Sequence, residues 1–259
     1  MKIVHISDTH LVKSEHDELI GETVSSFQAA LDDIVLRHQD AELLVVTGDL
    51  VNDGSLGGYE ILRECIKKLP MPVELILGNH DDRENFLSVF QRRRSENGFV
   101  QSMRQLSLGR ALLLDTHQPG SHSGALCDKR LAWLEAQLTA DPGPFWIFMH
   151  HNPIPTHLPQ MDRIMLHAPD HFGDIIADHR DHIAFIFHGH LHLPMSGSLY
   201  GVPVACQRGT SFTGYPNYGE DRLLPHSNFP ASYSVIIADG PATTVMMVEY
   251  GGAPVEIAV

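Results

Sequence analysis

Apolar residues in this chain gather in short runs. These lie within residues 2–6 (KIVHI), 42–49 (ELLVVTGD), 72–79 (PVELILGN), 110–116 (RALLLDT), 144–151 (PFWIFMHH) and 182–190 (HIAFIFHGH). Each is rich in Val, Ile, Leu or Phe with little polar alternation, which predicts strands buried on both faces. Between the runs the apolar spacing changes to three and four. Residues 22–38 place Val24, Phe27, Leu31, Ile34 and Val35 on one helical face, and 55–69 place Tyr59, Leu62, Ile66 and Leu69. Residues 128–139 do the same with Leu131, Leu134 and Leu138, with Asp128 as the expected N-cap. Strand and helix alternate, so the sheet should be largely parallel.

Beyond residue 193 the pattern loosens. Gly, Pro and aromatic residues crowd into GTSFTGYPNYGEDRLLPHSNFP, and two β-like runs follow at 231–239 and 243–250, joined around Gly240-Pro241. These runs read as an antiparallel tail closing a second sheet. No repeat or low-complexity linker marks a boundary, so residues 1–259 are expected to form one α/β domain with 193–259 as a β-rich C-terminal part. The stretch 212–233 has two candidate roles, a lid over a site or a contact between subunits.

Of 259 residues, 43% are apolar and 19% charged, at a mean hydropathy of −0.09, the balance of a globular chain. No apolar run approaches the ~20 residues that span a bilayer. The start, MKIVHISDTHL, has no long apolar core and no small-residue cleavage site, so no secretory leader is expected. Cys65, Cys127 and Cys206 are few and far apart, which fits neither a disulfide framework nor a thiolate zinc site and points to a reducing cytoplasm. The formal net charge of −14 argues against nucleic acid or a membrane surface as partner. The one short basic stretch, QRRRSE at 91–96, reads as a solvated helix face. Histidine stands out: there are 18, as many as Lys and Arg together.

Many of these histidines sit where strands end. Asp8 and His10 follow the first run, Asp49 the second, Asn79 and His80 the third. His150 and His151 follow FWIFM, and His188, His190 and His192 follow IAFIF. In open α/β sheets ligands bind beyond the carboxyl ends of strands. Glycines in TGD, LGNH and HGH allow a sharp turn or a close approach there. The i, i+2 pairs in DTH and HLH place two side chains on one face of an extended segment. Imidazoles mixed with few carboxylates and no thiolate suit Zn, Fe, Mn, Co or Ni, and disfavour Ca and Mg. The donors outnumber what one ion accepts. Two ions about 3.5–4 Å apart, sharing a bridging carboxylate, would use them.

At these residues the chain resembles the calcineurin-like metallophosphoesterases, whose blocks are D-x-H, G-D, G-N-H-[DE], H and G-H-x-H. Here the blocks are DTH (8–10), GD (48–49), GNHD (78–81), MHHNP (149–153) and GHLH (189–192). The flanking text HISDTHL, GDLVNDGSLGGYEIL, GALCDKRLAWLEAQL and MDRIMLHAPDHF is similar to bacterial class III cyclic-nucleotide phosphodiesterases and their glycerophosphodiesterase relatives. Asn152 departs from those relatives, which often carry a second Pro there. The position directly after the strand favours His150 over His151 as the ligand. The resemblance implies a four-layer α/β/β/α sandwich, two mixed β-sheets flanked by helices. It implies Asp8, His10, Asp49 and His192 around a first ion, with Asp49 bridging, and Asn79, His150 and His190 completing a second. His80 would be the catalytic residue that touches substrate.

Asp81, His151 and His188 are expected either to support ligands or to contact substrate. Asp81 has an equal claim as the cap of a helix starting in DRENFLSVF, and His188 as a residue packed under GHLH. His117, His122, His157, Asp162 and Arg163 lie in loops able to shape the pocket, with plain surface positions as the alternative. The implied chemistry is hydrolysis of a small phosphodiester, a 3′,5′-cyclic nucleotide or a glycerophosphodiester, by a hydroxide bridging two divalent or mixed-valence ions (Fe, Mn, Co or Zn). His80 would stabilise the phosphoryl oxygens or protonate the leaving alkoxide. A phosphomonoesterase or phosphonate monoester hydrolase on the same site is the alternative, and a non-catalytic metal-binding scaffold the third. The resemblance also implies a homo-oligomer, a dimer or higher.

Overall fold

The computed structural model describes residues 1–12, 23–91, 95, 97–218, 224–225 and 229–251. The arginines of the 91–96 stretch lie outside these residues. Two mixed sheets form the centre. In the first, β1 (Lys2–Ile6), β2 (Leu43–Thr47) and β3 (Val73–Ile76) run parallel, β12 (Ser232–Asp239) pairs antiparallel with β1 and β13 (Ala242–Glu249) antiparallel with β12, in the order β13-β12-β1-β2-β3. The second is built from β4 (Ser102–Leu106), β5 (Gly109–Leu113), β6 (Phe145–Phe148), β7 (Ile183–His188), β8 (Met195–Leu199) and β9 (Val202–Cys206). Its order is β4-β5-β6-β7-β9-β8, with β5, β6, β7 and β9 parallel. A short ladder pairs β10 (Gly214–Tyr215) with β11 (Leu224–Pro225).

The unbroken apolar runs are explained by this layering. In β2, Val45 faces the other sheet, while Leu44 and Val46 face helices. In β6, Trp146 and Phe148 meet the first sheet, while Phe145 and Ile147 meet the opposite helices. Helices α1 (Thr23–Arg37) and α2 (Leu56–Ile66) cover the first sheet through Phe27, Leu31, Ile34, Tyr59 and Leu62. Helices α4 (Asp128–Ala140) and α6 (Pro169–Asp178), with the short α5 (Pro159–Asp162) between them in the chain, cover the second through Leu134, Leu138, Phe172 and Ile176. The result is the expected α/β/β/α sandwich.

Three details differ from the sequence reading. The C-terminal runs do not close a second sheet: β12 and β13 extend the first sheet, and it is β8 and β9 that extend the second. Asp128 is the first helical residue of α4, and Cys127 is the N-cap, with no side-chain cap bond. The hairpin partner β4 was not foreseen. Its burial pattern is mostly exposed, as an edge strand of SMRQL allows.

Candidate metal centre

The carboxyl ends of β1, β2 and β3 meet those of β6 and β7 at one end of the sandwich. Two groups of donors converge there. Asp8, His10, Asp49 and His192 form one, and His150, His151 and His190 the other; within each group the donor atoms lie within 4.8 Å of one another. Asn79 joins the second, its Oδ1 3.2 Å from His150 Nε2. Asp49 touches both, with Oδ2 3.5 Å from His10 Nε2 and Oδ1 3.5 Å from His150 Nε2. All seven expected ligands are therefore together.

The backbone at this site is unusual. Asp8, His10, Asp49, His190 and His192 all have positive φ, between 43° and 71°. Non-glycine residues seldom adopt this region, and such strain concentrates where function requires it. Gly48, at φ 84°, sits among them; a Cβ there would lie 2.6 Å from both Gly78 N and His150 Nδ1. Main-chain bonds fix the bent segments: Asp8 N donates to Gly48 O (3.1 Å), His10 N to Asp49 O (2.8 Å), and Gly189 N to His150 O (3.1 Å).

Proton placement tests whether cations fit. His10 Nδ1 lies 3.1 Å from Asn52 Oδ1 and His192 Nδ1 2.9 Å from Phe212 O. His150 Nδ1 lies 2.7 Å from Thr47 O and His190 Nε2 3.1 Å from Ile164 O. These oxygens can only accept, so each tethered nitrogen carries the hydrogen, and on a neutral ring the other nitrogen presents a bare lone pair. Yet His10 Nε2 faces His192 Nε2 at 3.2 Å. Lone pair opposed to lone pair is repulsive unless positive charge sits between. Tethered imidazoles of this kind are how proteins orient metal ligands. The donor set fits two cations.

Burial agrees. It is the largest cause that pushes His10 down to about 3, and it holds His190 well below its usual range, so both stay neutral. Burial also acts downward on His150, but the Asp49 carboxylate against it lifts it to about 9, so its Nε2 holds a proton where an ion would otherwise sit. Asp8 is raised, first by burial, with His192 and His150 opposing. Burial pushes Asp49 upward too, yet the surrounding imidazoles, His150 foremost, hold it well below the usual range. The centre thus holds a buried carboxylate that needs positive charge beside it, which a proton on His150 supplies here and an ion would supply in its place.

The remaining expected residues divide. His80 is half-buried at the mouth, its Nδ1 2.8 Å from Asn52 O and its backbone N–H donating to Asp49 Oδ1 at 2.9 Å. Asp81 bonds to no ligand histidine and does not cap α3 (Arg83–Val89); that cap is Asp82. Asp81 instead accepts from the backbone N–H groups of Leu50, Val51 and Gly78 and from Tyr59 Oη, pinning the two ligand loops together. His151 has both ring nitrogens occupied, Nδ1 2.8 Å from Thr116 Oγ1 and Nε2 3.2 Å from His122 O. His188 is fully buried, its Nδ1 2.9 Å from Gly189 O, and lies beneath the site.

Among the loop residues, exposed His122 comes within 3.3 Å of Asn79 Nδ2. His117 is buried, and its carbonyl accepts from Arg83 and Arg130, both of which also engage Asp115. Asp162 accepts from Thr156 and the His157 N–H, tying a turn. Asn52 and Thr47 went unnoticed in the sequence, and Phe212 entered only as the first residue of the 212–233 stretch, of which 219–223 and 226–228 lie outside the described residues. Phe212 supplies a carbonyl to His192 and stacks its ring on that imidazole at 3.9 Å and 11°. Aromatic density after residue 211 was the only available signal.

The sequence model of the calcineurin-like phosphoesterases matches residues 1–194. The chain belongs to this family. It is an enzyme of phosphoester hydrolysis, and the family resemblance carried by the motifs stands. It is 35% identical over 239 residues to a probable cyclic nucleotide phosphodiesterase of Rhodopseudomonas palustris, covering 90% of this chain and 87% of that one. It is 36% identical over 173 residues to a glycerophosphodiester phosphodiesterase of Enterobacter lignolyticus, covering 63% and 61%. A dimetal phosphatase from Danio rerio shares the fold at a TM-score of 0.71 and 14% identity, over 97% of this chain and 99% of that one. No helix among the described residues is long and apolar enough to cross a membrane.

Proposed function

We propose that the chain hydrolyses small phosphodiesters, a 3′,5′-cyclic nucleotide or a glycerophosphodiester, at a two-metal centre. Asp8, His10, Asp49 and His192 hold one ion; Asn79, His150 and His190 hold the second, with Asp49 shared. The observation that carries this is the opposition of bare lone pairs at His10 and His192. When bound, the ions supply positive charge toward phosphate oxygens and acidify the attacking water. All-nitrogen-and-oxygen donors support iron, manganese, cobalt or zinc.

The chain's own residues do the rest. Asn79 adds a donor without adding negative charge, so Asp8 and Asp49 are the ligand carboxylates. His80 is held by its Nδ1 on the Asn52 carbonyl, which leaves Nε2 for substrate. A protonated Nε2 there donates to a phosphoryl oxygen or to the departing alkoxide. His151, tied at both nitrogens, positions the His122 loop instead of binding an ion.

The names of the relatives support the diester class. The test is a substrate panel on protein reconstituted with each metal. It includes cyclic AMP, a 2′,3′-cyclic nucleotide, glycerophosphocholine, glycerophosphoethanolamine, bis(p-nitrophenyl) phosphate and p-nitrophenyl phosphate. The diesters are expected to show the higher kcat/KM by about tenfold or more. A monoester turned over faster than every diester overturns the reading in favour of a phosphomonoesterase.

A further inference from the structure

Strands β1 and β2 turn alternate residues toward the second sheet, Ile3 and Val45 among them. That alternation continues with His5, Ser7 and Thr47, all buried and lying one to three residues before Asp8 or Asp49. His5 is set edge-on to Phe148 and Phe187, at 5.6 and 5.8 Å between ring centres, where an apolar side chain would pack as well. Polar groups buried in such a place cost stability unless they are bonded. None of the three is a ligand in the two-metal reading.

Their hydrogen bonds run in one direction. Ser7 Oγ donates to Thr47 O at 3.1 Å, since a carbonyl only accepts. With its one hydrogen spent, Ser7 Oγ accepts from Thr47 Oγ1 at 2.9 Å, a closer partner for that hydroxyl than Ile6 O at 3.4 Å. Thr47 Oγ1 in turn accepts from His5 Nε2 at 2.7 Å. Burial pushes His5 down to about 3, so the ring is neutral and Nε2 carries its single N–H. The line ends on the Thr47 carbonyl, which also accepts the His150 Nδ1–H at 2.7 Å. Two donors from different segments thus hold one oxygen, which fixes its direction. We propose that His5, Thr47 and Ser7 form a buried relay that positions His150 for the second ion. The Ser7 hydroxyl also seats the end of β7: a Cβ on Gly189, next to His190, would lie 1.8 Å from Ser7 Oγ. The relay therefore braces two of the three residues that complete the second pocket. Hydrogen bonds in such a chain strengthen one another, so each member acts through the next. The inference rests on the two-metal reading and not on the identity of the substrate.

Thr47→Val keeps the carbonyl and the shape but removes the middle of the relay, and Ser7→Ala removes its last hydroxyl. Zinc or manganese is titrated against a graded chelator, with a cooperative melt of the metal-free protein as the check on folding. Each variant should hold the second ion about 10–100-fold more weakly and the first as the parent does. His5→Leu, furthest from the ion, should cost less, about fivefold. Thr47→Ser, which keeps the hydroxyl, should restore parental affinity. Ser7→Ala added to Thr47→Val should cost little more than Thr47→Val alone, because a broken relay has nothing further to lose. Losses that multiply would show separate packing effects and overturn the relay. So would a Thr47→Val protein that binds both ions as tightly as a two-ion parent. A parent that takes up a single ion brings down the two-metal reading, and this inference with it.

Discussion

Asp8, His10, Asp49 and His192, the first group of donors, all bend through positive φ; in the second group, His150, Asn79 and His190, only His190 does. The first is also roofed by Phe212 and buried at 5% exposure or less throughout. The second opens at half-buried Asn79, beside exposed His122. Backbone strain fixes the first pocket whether or not an ion is bound, while the second depends on side-chain tethers such as His150 to Thr47 O. A centre built this way should hold one ion firmly and exchange the other.

The largest effect should come from the residue common to both halves. Asp49→Ala is expected to empty both pockets and lower turnover about a thousandfold or more, read by metal analysis alongside bis(p-nitrophenyl) phosphate hydrolysis. One firmly retained ion would mean the halves are independent. His80→Ala should keep both ions and still lose about 10²–10⁴ in turnover; parental turnover would remove His80 from the chemistry. Asn79→Ala should weaken the second ion about 10–100-fold and spare the first. Competition with a graded chelator separates the two, and equal loss of both would erase the contrast drawn here. Phe212→Leu keeps the carbonyl to His192 and removes only the stacked ring. The first ion should weaken by about 0.5–1.5 kcal/mol, at most about tenfold, with the second unchanged.

The convergence of the candidate ligands was legible because each proposed ligand stands at or just beyond a strand end, and a strand end is visible as the place where an apolar run stops. The alternation of runs and helices likewise carried the layers. What the sequence could not show is what lies between distant segments. The role of Asp81 depends on Leu50, Val51, Gly78 and Tyr59 meeting in space, so a local cap was an equally good reading. The choice between His150 and His151 turns on Thr47 O and Thr116 Oγ1, neither adjacent in the chain. The C-terminal runs showed period and length but not destination. Pairing with β1, at the other end of the chain, is set by which sheet edge is free.

That pairing has a consequence for how the molecule is made. Asp8 and His10 hang from β1, which bonds to β2 on one flank and to β12 on the other. Residues 210 and 211 donate backbone N–H bonds to Ser7 and Asp8, and Phe212 clasps His192. A nascent chain leaving the ribosome therefore carries every proposed metal ligand by residue 192 while the walls that hold them are still unsynthesised. Loading with metal must wait for the last strands, and a chain stopped short of them would display the whole signature and bind poorly.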